Sequence, residues 1–228
     1  MNIVPTPRMS IRTLFQYPEA HISLTNSQLI YSGRPAMSAS EKMCTIRECA
    51  DAVRVTIERN QNNLEKLRSE LLEAVRAFIS REDLYELGAK RPGNHIDNSK
   101  YIYYDGELSI TLDQLPKNMV VPPHDHGIWE ALIILKGRLH HSVYDRLDNG
   151  RKDGHAKLKQ IEDKTFMPME LAMVIPPAEI HSFTALEDDT YILTIVGGNY
   201  ATNRHYYNVE ENTYVVAKAG AVKPKKAA

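Results

Sequence analysis

The sequence predicts a mainly β protein, an antiparallel sandwich or barrel preceded by α-helices. Short β-rich runs begin at residue 101, and Gly, Pro, Asn and Asp separate them. No helical periodicity occurs between these runs, whereas residues 39–80 carry apolar side chains at helical spacing. Strands at such short intervals are typical of an antiparallel sandwich or barrel.

The chain divides into four expected segments. We expect an irregular N-terminal segment, a helical part, a barrel and a disordered basic tail, at residues 1–38, 39–92, 93–218 and 219–228. In the helical part the sequence predicts two helices, broken near residues 60–63, with Ser38 or Ser40 as the first cap. A short third helix should end at Gly88.

Bulk composition argues against several classes of partner. The formal net charge of −1 gives no reason to expect nucleic acid or an anionic membrane surface. No apolar run approaches the roughly 20 residues of a membrane span, and the first residues lack the pattern of a secretory signal. Cys44 and Cys49 are too few for a disulfide framework, and their spacing is not that of zinc ligands. We therefore expect a cytoplasmic protein.

Residues 122–137, PPHDHGIWEALIILKG, carry the strongest functional signal. In an extended segment His124 and His126 would point to one side, Asp125 would point away, and Glu130 would share the side of the histidines. A third imidazole should come from another strand, and His181 in IPPAEIHSF supplies it. Imidazoles with a carboxylate suit Fe(II), Ni(II), Mn(II), Cu(II) or Zn(II).

The remaining histidines have less persuasive settings. We expect surface or packing roles for His21, His95, His140, His141, His155 and His205. His140 and His141 are consecutive on a strand, so at most one of them can face inward. For Arg204 and His205 we expect a surface loop, with a role at the barrel mouth as the alternative.

The stretch from His124 to Gly137 resembles the first cupin motif, H-x-H-x3-E-x6-G, at every defined position. Asn118 replaces the glycine that usually lies six residues before the first histidine, where a turn needs a positive φ. The second motif, P-x-G-x2-H-x3-N, is matched in part by Pro176–His181, with Ala185 in place of Asn. The resemblance implies a double-stranded β-helix (jelly-roll) barrel that binds one metal through His124, His126, His181 and often Glu130.

A narrower resemblance covers residues 40–218. The helices before the barrel, the run PPHDHGIW and the run VGGNYATNRHYYNVEENTYVV resemble thiol dioxygenases of the cysteine and mercaptopropionate dioxygenase type. Such enzymes hold Fe(II) with three histidines and add O2 to a thiolate. Fe(II) is therefore the metal we expect first, with Ni, Mn, Cu or Zn as alternatives, and a small molecule and O2 as substrates.

The chain departs from that family at three places. The Ser-x-His-x-Tyr triad is replaced by residues 191–195, YILTI, and the carboxylate-binding arginine by residues 101–103, YIY. Glu130 adds a carboxylate to a site that is neutral in the family. These departures argue against a thiol substrate that bears a carboxylate. A site of three histidines and one glutamate resembles that of other cupin dioxygenases, which act on enolic or phenolic substrates.

We take Glu130 and Tyr103 as candidate catalytic residues. Glu130 is either a fourth ligand, a hydrogen-bond partner of a histidine, or a base for the substrate proton. Tyr101, Tyr103 and Tyr191 either line a pocket or simply populate strands, and packing is the expected role of Trp129. The alternatives to a dioxygenase are a metal-dependent isomerase or lyase and a ligand-binding module. Exposed barrel edges are consistent with a homodimer.

Overall fold

The structure, a computed structural model, describes residues 43–91, 96–177, 179–201, 203–218 and 225–226. These described residues belong to one compact unit, so the helices and the barrel are not separate bodies. The predictions for residues 1–38, and for Ser40 as a helix cap, lie outside them. No helix in these ranges combines the length and apolarity that crossing a membrane requires.

Two helices lie where the spacing predicts them. Helix α1 spans Ile46–Arg59, and its cap is Thr45, which exchanges hydrogen bonds with Glu48 in a capping box. Helix α2 spans Leu64–Ile79 and is capped by Asn63, so the predicted break near residues 60–63 is confirmed. The third helix is a single 3-10 turn, Leu84–Glu86, followed by Gly88 at φ +89°.

Thirteen strands are described in the ranges given above. They are β1 (Ala89–Lys90), β2 (Asn98–Tyr104), β3 (Ser109–Leu115), β4 (Met119–His124), β5 (Glu130–Lys136), β6 (Leu139–Arg146), β7 (Leu158–Phe166), β8 (Leu171–Val174), β9 (Ile180–Ala185), β10 (Thr190–Val196), β11 (Asn203–Asn208), β12 (Thr213–Lys218) and β13 (Lys225–Lys226). Strand β13 consists of two residues and lies antiparallel to β4. The sequence predicts that these two residues belong to a disordered tail.

The strands form two antiparallel sheets. One has the order β1-β2-β3-β10-β5-β8, and the other has the order β12-β11-β4-β9-β6-β7, with β13 added to β4. Strands that follow each other in the chain often lie in different sheets, and β4 and β5 are such a pair. The loop between them therefore crosses from one sheet to the other at one end of the barrel.

The two larger clusters of buried side chains lie on the two sides of the six-stranded sheet. Side chains such as Leu132 and Ile134 pack between the two sheets. Ala131 and Ile133, which alternate with them on β5, pack against the helices through residues such as Leu71. The helices thus cover the outer face of one sheet, and its inner face is left to line the barrel.

Candidate metal centre

The candidate ligands lie where the two sheets meet. Strand β4 ends at His124, strand β5 begins at Glu130, and His126 lies in the loop between them, followed by Gly127 at φ +72°. His181 on β9 is the antiparallel partner of His124. The predicted side chains do converge. His124, His126 and Glu130, however, belong to a segment that turns from one sheet to the other and is not one extended strand.

The three histidines each direct one ring nitrogen to a common point. Ligand nitrogens of His124, His126 and His181 all lie within 4.8 Å of one another, and all three rings are buried. Nδ1 of His124 lies 2.9 Å from the carbonyl oxygen of Pro122, and Nδ1 of His126 lies 2.9 Å from that of Ile128. Because a carbonyl only accepts, each Nδ1 carries the proton and each Nε2 keeps its lone pair.

Glu130 closes a triangle of donor atoms with two of the histidines. Its Oε2 lies 3.1 Å from Nε2 of His126 and 3.2 Å from Nε2 of His181, and the two nitrogens are 3.0 Å apart. Two ligand atoms about 2.1 Å from an ion, at right angles, are about 3.0 Å apart. The three donor atoms thus lie close enough together that His126, His181 and Glu130 could all bind one ion.

Burial sets the protonation of these groups. It holds the pKa of His124 well below its ordinary value and lowers the pKa of His181 to about 4, so both rings are neutral near pH 7. Burial also acts to raise the pKa of Glu130, but the nearby His126 and His181 outweigh it and hold that pKa well below the usual range. Neutral imidazoles and an ionised carboxylate are the forms that bind a metal.

Tyr200, which the sequence analysis did not single out, supports Glu130. The hydroxyl of Tyr200 donates a 2.6 Å hydrogen bond to Oε1 of Glu130, which leaves Oε2 facing the histidines. Burial, followed by the charge of Glu130, raises the pKa of Tyr200 well above its ordinary value, so the hydroxyl keeps its proton. The guanidinium of Arg204 lies 4.2 Å from the centre of the Tyr200 ring.

His141 is a neighbour of the site that we expected in a surface or packing role. It is only 1% exposed, and its Nε2 lies 2.9 Å from Nδ1 of His181. A contact of this kind orients a ligating imidazole. The preceding His140 is partly exposed and lies 2.8 Å from Asp163, so only one of the pair faces inward, as predicted.

The expected surface loop at Arg204 and His205 is wrong, because both residues lie in β11. Nδ1 of His205 lies 2.7 Å from Asp125, and Tyr207 donates a 2.8 Å hydrogen bond to the same carboxylate. Asp125 thus ties the loop that carries the histidines to β11. Of the other histidines, His155 forms an isolated bridge with Thr213, and His21 and His95 lie outside the described residues.

The structure places Tyr103 away from the histidines. Its hydroxyl accepts a 2.8 Å hydrogen bond from Arg54 of α1, donates to Asp105, and its ring packs in the core beside the helices. Tyr103 therefore lies on the outer face of the six-stranded sheet, and its assignment as a catalytic residue is corrected.

The other aromatic candidates lie outside the histidine group. Tyr191 packs against Tyr85, with ring centres 4.5 Å apart, and both side chains line a pocket formed with strands β2 and β3, away from the histidines. Trp129 packs in the same core as the helices, next to Gly197, where a Cβ atom would collide with its ring. The packing role expected for Trp129 is confirmed. The hydroxyl of Tyr101 accepts a 3.2 Å hydrogen bond from Nε of Arg91.

Two antiparallel sheets, preceded by helices and carrying a buried three-histidine group that fits a metal, define a cupin-superfamily protein. The chain belongs to the PCO_ADO family of thiol dioxygenases, whose family model matches residues 64–226. No curated protein matches the chain.

Several solved structures are similar to parts of the chain. KdgF from Halomonas sp. is 16% identical with a TM-score of 0.35, over 44% of this chain and 79% of that one. A cupin superfamily protein from Desulfitobacterium hafniense is 15% identical with a TM-score of 0.34, over 44% and 76%. An oxalate oxidase in complex with glycolate is 20% identical with a TM-score of 0.32, over 40% and 42%.

Proposed function

We propose that the protein is an Fe(II)-dependent dioxygenase that adds both atoms of O2 to the sulfur of a small thiol. The observation that carries this proposal is the triangle of donor atoms from His126, His181 and Glu130, with His124 completing the group. Two histidines and a carboxylate on one face of an ion, with open positions opposite, are typical of non-haem Fe(II) oxygenases. Membership of the PCO_ADO family supports the thiol.

The side chains of the donor set are already oriented for a metal. Each Nε2 is already directed inward by the bond at its Nδ1, and the bond from Tyr200 holds Glu130 with Oε2 toward the histidines. We propose that Glu130 is the fourth ligand and not a base, since its other oxygen, Oε1, already accepts the hydrogen bond from Tyr200. Three imidazoles and one carboxylate would leave two of six positions open.

Iron would bring a thiolate and O2 into one coordination sphere and supply the electronic route between spin-paired and triplet reactants. The chain's own residues prepare that reaction. The buried side chains around His181 exclude water, and Tyr200 retains its proton as a donor to Glu130. In the balanced step a thiolate and one O2 give one sulfinate, so no further reductant is needed.

Family membership favours the oxygenase over an isomerase or lyase and over a binding module. We propose further that the substrates are this thiol and O2, that the protein works in the reducing cytoplasm, and that exposed sheet edges allow a homodimer.

The test is metal content of freshly purified protein by elemental analysis, with O2 uptake on a panel of small thiols. We expect near-stoichiometric iron that His181→Ala removes. His140→Ala is the matched control, since His140 is partly exposed and lies outside the donor group. Protein that takes up neither iron nor another divalent metal would refute the proposal, and turnover that needs metal but no O2 would point to the isomerase or lyase.

A further inference from the structure

His141 is a buried histidine that the proposed reaction does not use. Its neighbours on the same face of β6, Leu139 and Val143, are buried apolar side chains. An imidazole among such neighbours costs free energy unless its nitrogens find partners, because a buried polar group has lost its hydrogen bonds to water. The contacts of the two ring nitrogens should therefore explain why this position is not apolar.

The first nitrogen of His141, Nε2, contacts a candidate metal ligand. It lies 2.9 Å from Nδ1 of His181, whose own Nε2 faces Glu130 and His126. When Nε2 of His181 binds a metal, the one proton of this neutral ring must lie on Nδ1. That Nδ1–H needs an acceptor, so Nε2 of His141 must carry a lone pair.

The second nitrogen of His141, Nδ1, must then carry the proton of the ring. This nitrogen is buried, and it has no hydrogen-bond partner among the residues that the structure describes. A carboxylate oxygen, Oε1 of Glu162 on β7, lies 3.9 Å from it, which is longer than a hydrogen bond. The side chain of Glu162 is 42% exposed, so rotation about its own bonds can shorten this distance.

Glu162 has the charge that this position requires. Interaction with the His141 ring lowers the pKa of the Glu162 carboxyl below its usual value, and burial only partly opposes it. The carboxylate is therefore ionised near neutral pH and attracts the proton on Nδ1 of His141. A carboxylate that accepts from a ligating imidazole fixes its tautomer and raises its basicity. In this chain a second imidazole lies between the carboxylate and the ligand.

We propose that Glu162 and His141 form a relay that positions the metal ligand His181. In this relay Nδ1 of His181 donates to Nε2 of His141, and Nδ1 of His141 donates to Glu162. The two bonds hold His181 in the tautomer and the ring orientation that present Nε2 to the metal. Both outer residues are positioning residues, since they act through His181. The inference rests on the proposed function, because it makes the metal affinity of that site depend on a carboxylate at the protein surface.

The same two strands carry a matched pair of residues outside the relay. His140 precedes His141 on β6, Asp163 follows Glu162 on β7, and Nε2 of His140 lies 2.8 Å from Oδ1 of Asp163. The side chains of His140 and Asp163 are 38% and 57% exposed, and their described contacts include no candidate metal ligand. This pair therefore has the chemistry of the relay without its connection to the metal centre.

The experiment measures the Co(II) affinity of the full chain by competition with a chelator. His141→Leu should lower the affinity about 10- to 100-fold, the range typical when an outer partner of a ligand is removed. His141→Gln should recover part of this loss, because its amide oxygen can accept the proton on Nδ1 of His181. Glu162→Gln should lower the affinity only about 2- to 5-fold, because water screens its half-exposed carboxylate. The controls His140→Gln and Asp163→Asn should bind Co(II) as the wild type does.

The double variant with His141→Leu and Glu162→Gln tests whether the carboxylate acts through the imidazole. Glu162→Gln should have no effect in the His141→Leu background, and an undiminished effect there would overturn the relay in favour of direct action of the charge. Wild-type affinity in either single variant, or equal losses in Glu162→Gln and Asp163→Asn, would also overturn it. If His141→Leu does not fold, the comparison of Glu162→Gln with Asp163→Asn still decides.

Nitrogen-15 spectra of histidine in the Zn(II)-loaded protein provide a readout that packing alone would not change. We expect the protons of His141 and His181 on Nδ1, and a proton on Nε2 of His141 would contradict the relay.

Elemental analysis and O2 uptake of the wild type decide the proposed function separately. A wild type that binds metal but consumes no O2 would refute the dioxygenase and leave the relay. A working dioxygenase whose metal affinity is the same in His141→Leu and Glu162→Gln would do the reverse, and a chain that binds no metal would refute both.

Discussion

Replacing Tyr200 with phenylalanine tests whether an outer hydrogen bond controls the proposed metal centre. The change removes one oxygen and leaves the ring under Arg204. What is lost is the 2.6 Å hydrogen bond to Oε1 of Glu130, an ionised carboxylate that is itself buried. Without that bond the carboxylate is no longer held with Oε2 toward the histidines, and it must be ordered when a metal binds.

The size of the effect follows from the type of bond. A hydrogen bond to a charged group contributes about 1.5–3 kcal/mol. If that loss falls on the metal-bound state, the affinity for metal should drop about 10- to 100-fold. The same range is typical when an outer partner of a metal ligand is removed.

The assay is competition for Co(II) between the protein and a chelator, followed by visible absorbance. Tyr206→Phe is the control, because Tyr206 is also buried and stacks on His124, while the described residues offer its hydroxyl no hydrogen bond. We expect weaker binding in Tyr200→Phe and wild-type binding in Tyr206→Phe. Equal affinities for the two variants would refute the view that Tyr200 holds Glu130 in place.

Three further outcomes are expected. Burial raises the pKa of Asp113, so the unfolded chain releases this proton at lower pH than the folded protein, and wild-type stability should fall as pH rises between the two pKa values; Asp113→Asn should lose that decline in denaturant titrations across pH. Burial raises the pKa of Cys49 to about 12, so alkylation at mildly alkaline pH, followed by mass spectrometry, should modify it only after unfolding. Gly137→Ala should lower the free energy of unfolding by about 2–4 kcal/mol, because φ is +76° and the new Cβ would lie 2.5 Å from Oγ1 of Thr190. The reasoning would be contradicted by a pH decline that persists in Asp113→Asn, by alkylation of Cys49 in the folded protein, or by wild-type stability of Gly137→Ala.

The sequence by itself determined the features that depend on near neighbours. The helix break follows from Asn60 and Asn63, and the turn at Asn118 has the positive φ of 63° that its place in the motif requires. The short spacing of His124, His126 and Glu130 keeps these side chains close whatever the loop does, so their convergence was predictable even though the segment is not one strand.

Only the tertiary structure decided which distant residues surround that group. Arg204 lies near it because β11 pairs with β4, and His141 reaches it because β6 pairs with β9. Tyr200 reaches it because the next residue, Ala201, donates a backbone hydrogen bond to His126. These contacts join residues 40 to 82 positions apart. Such pairings leave no periodic signal in either segment.

The position of Tyr103 in the six-stranded sheet was also decided by strand pairing. The pairing of β2 with β3 shifts between Tyr101 and Tyr103, so Tyr101 lies opposite Thr111 and Tyr103 opposite Ile110. The extra residue, Ile102, reverses the two-residue alternation of the strand. Tyr103 therefore packs with Ile110 toward the helices. The sequence of β2 alone could not predict this, because a bulge also depends on the strand with which β2 pairs.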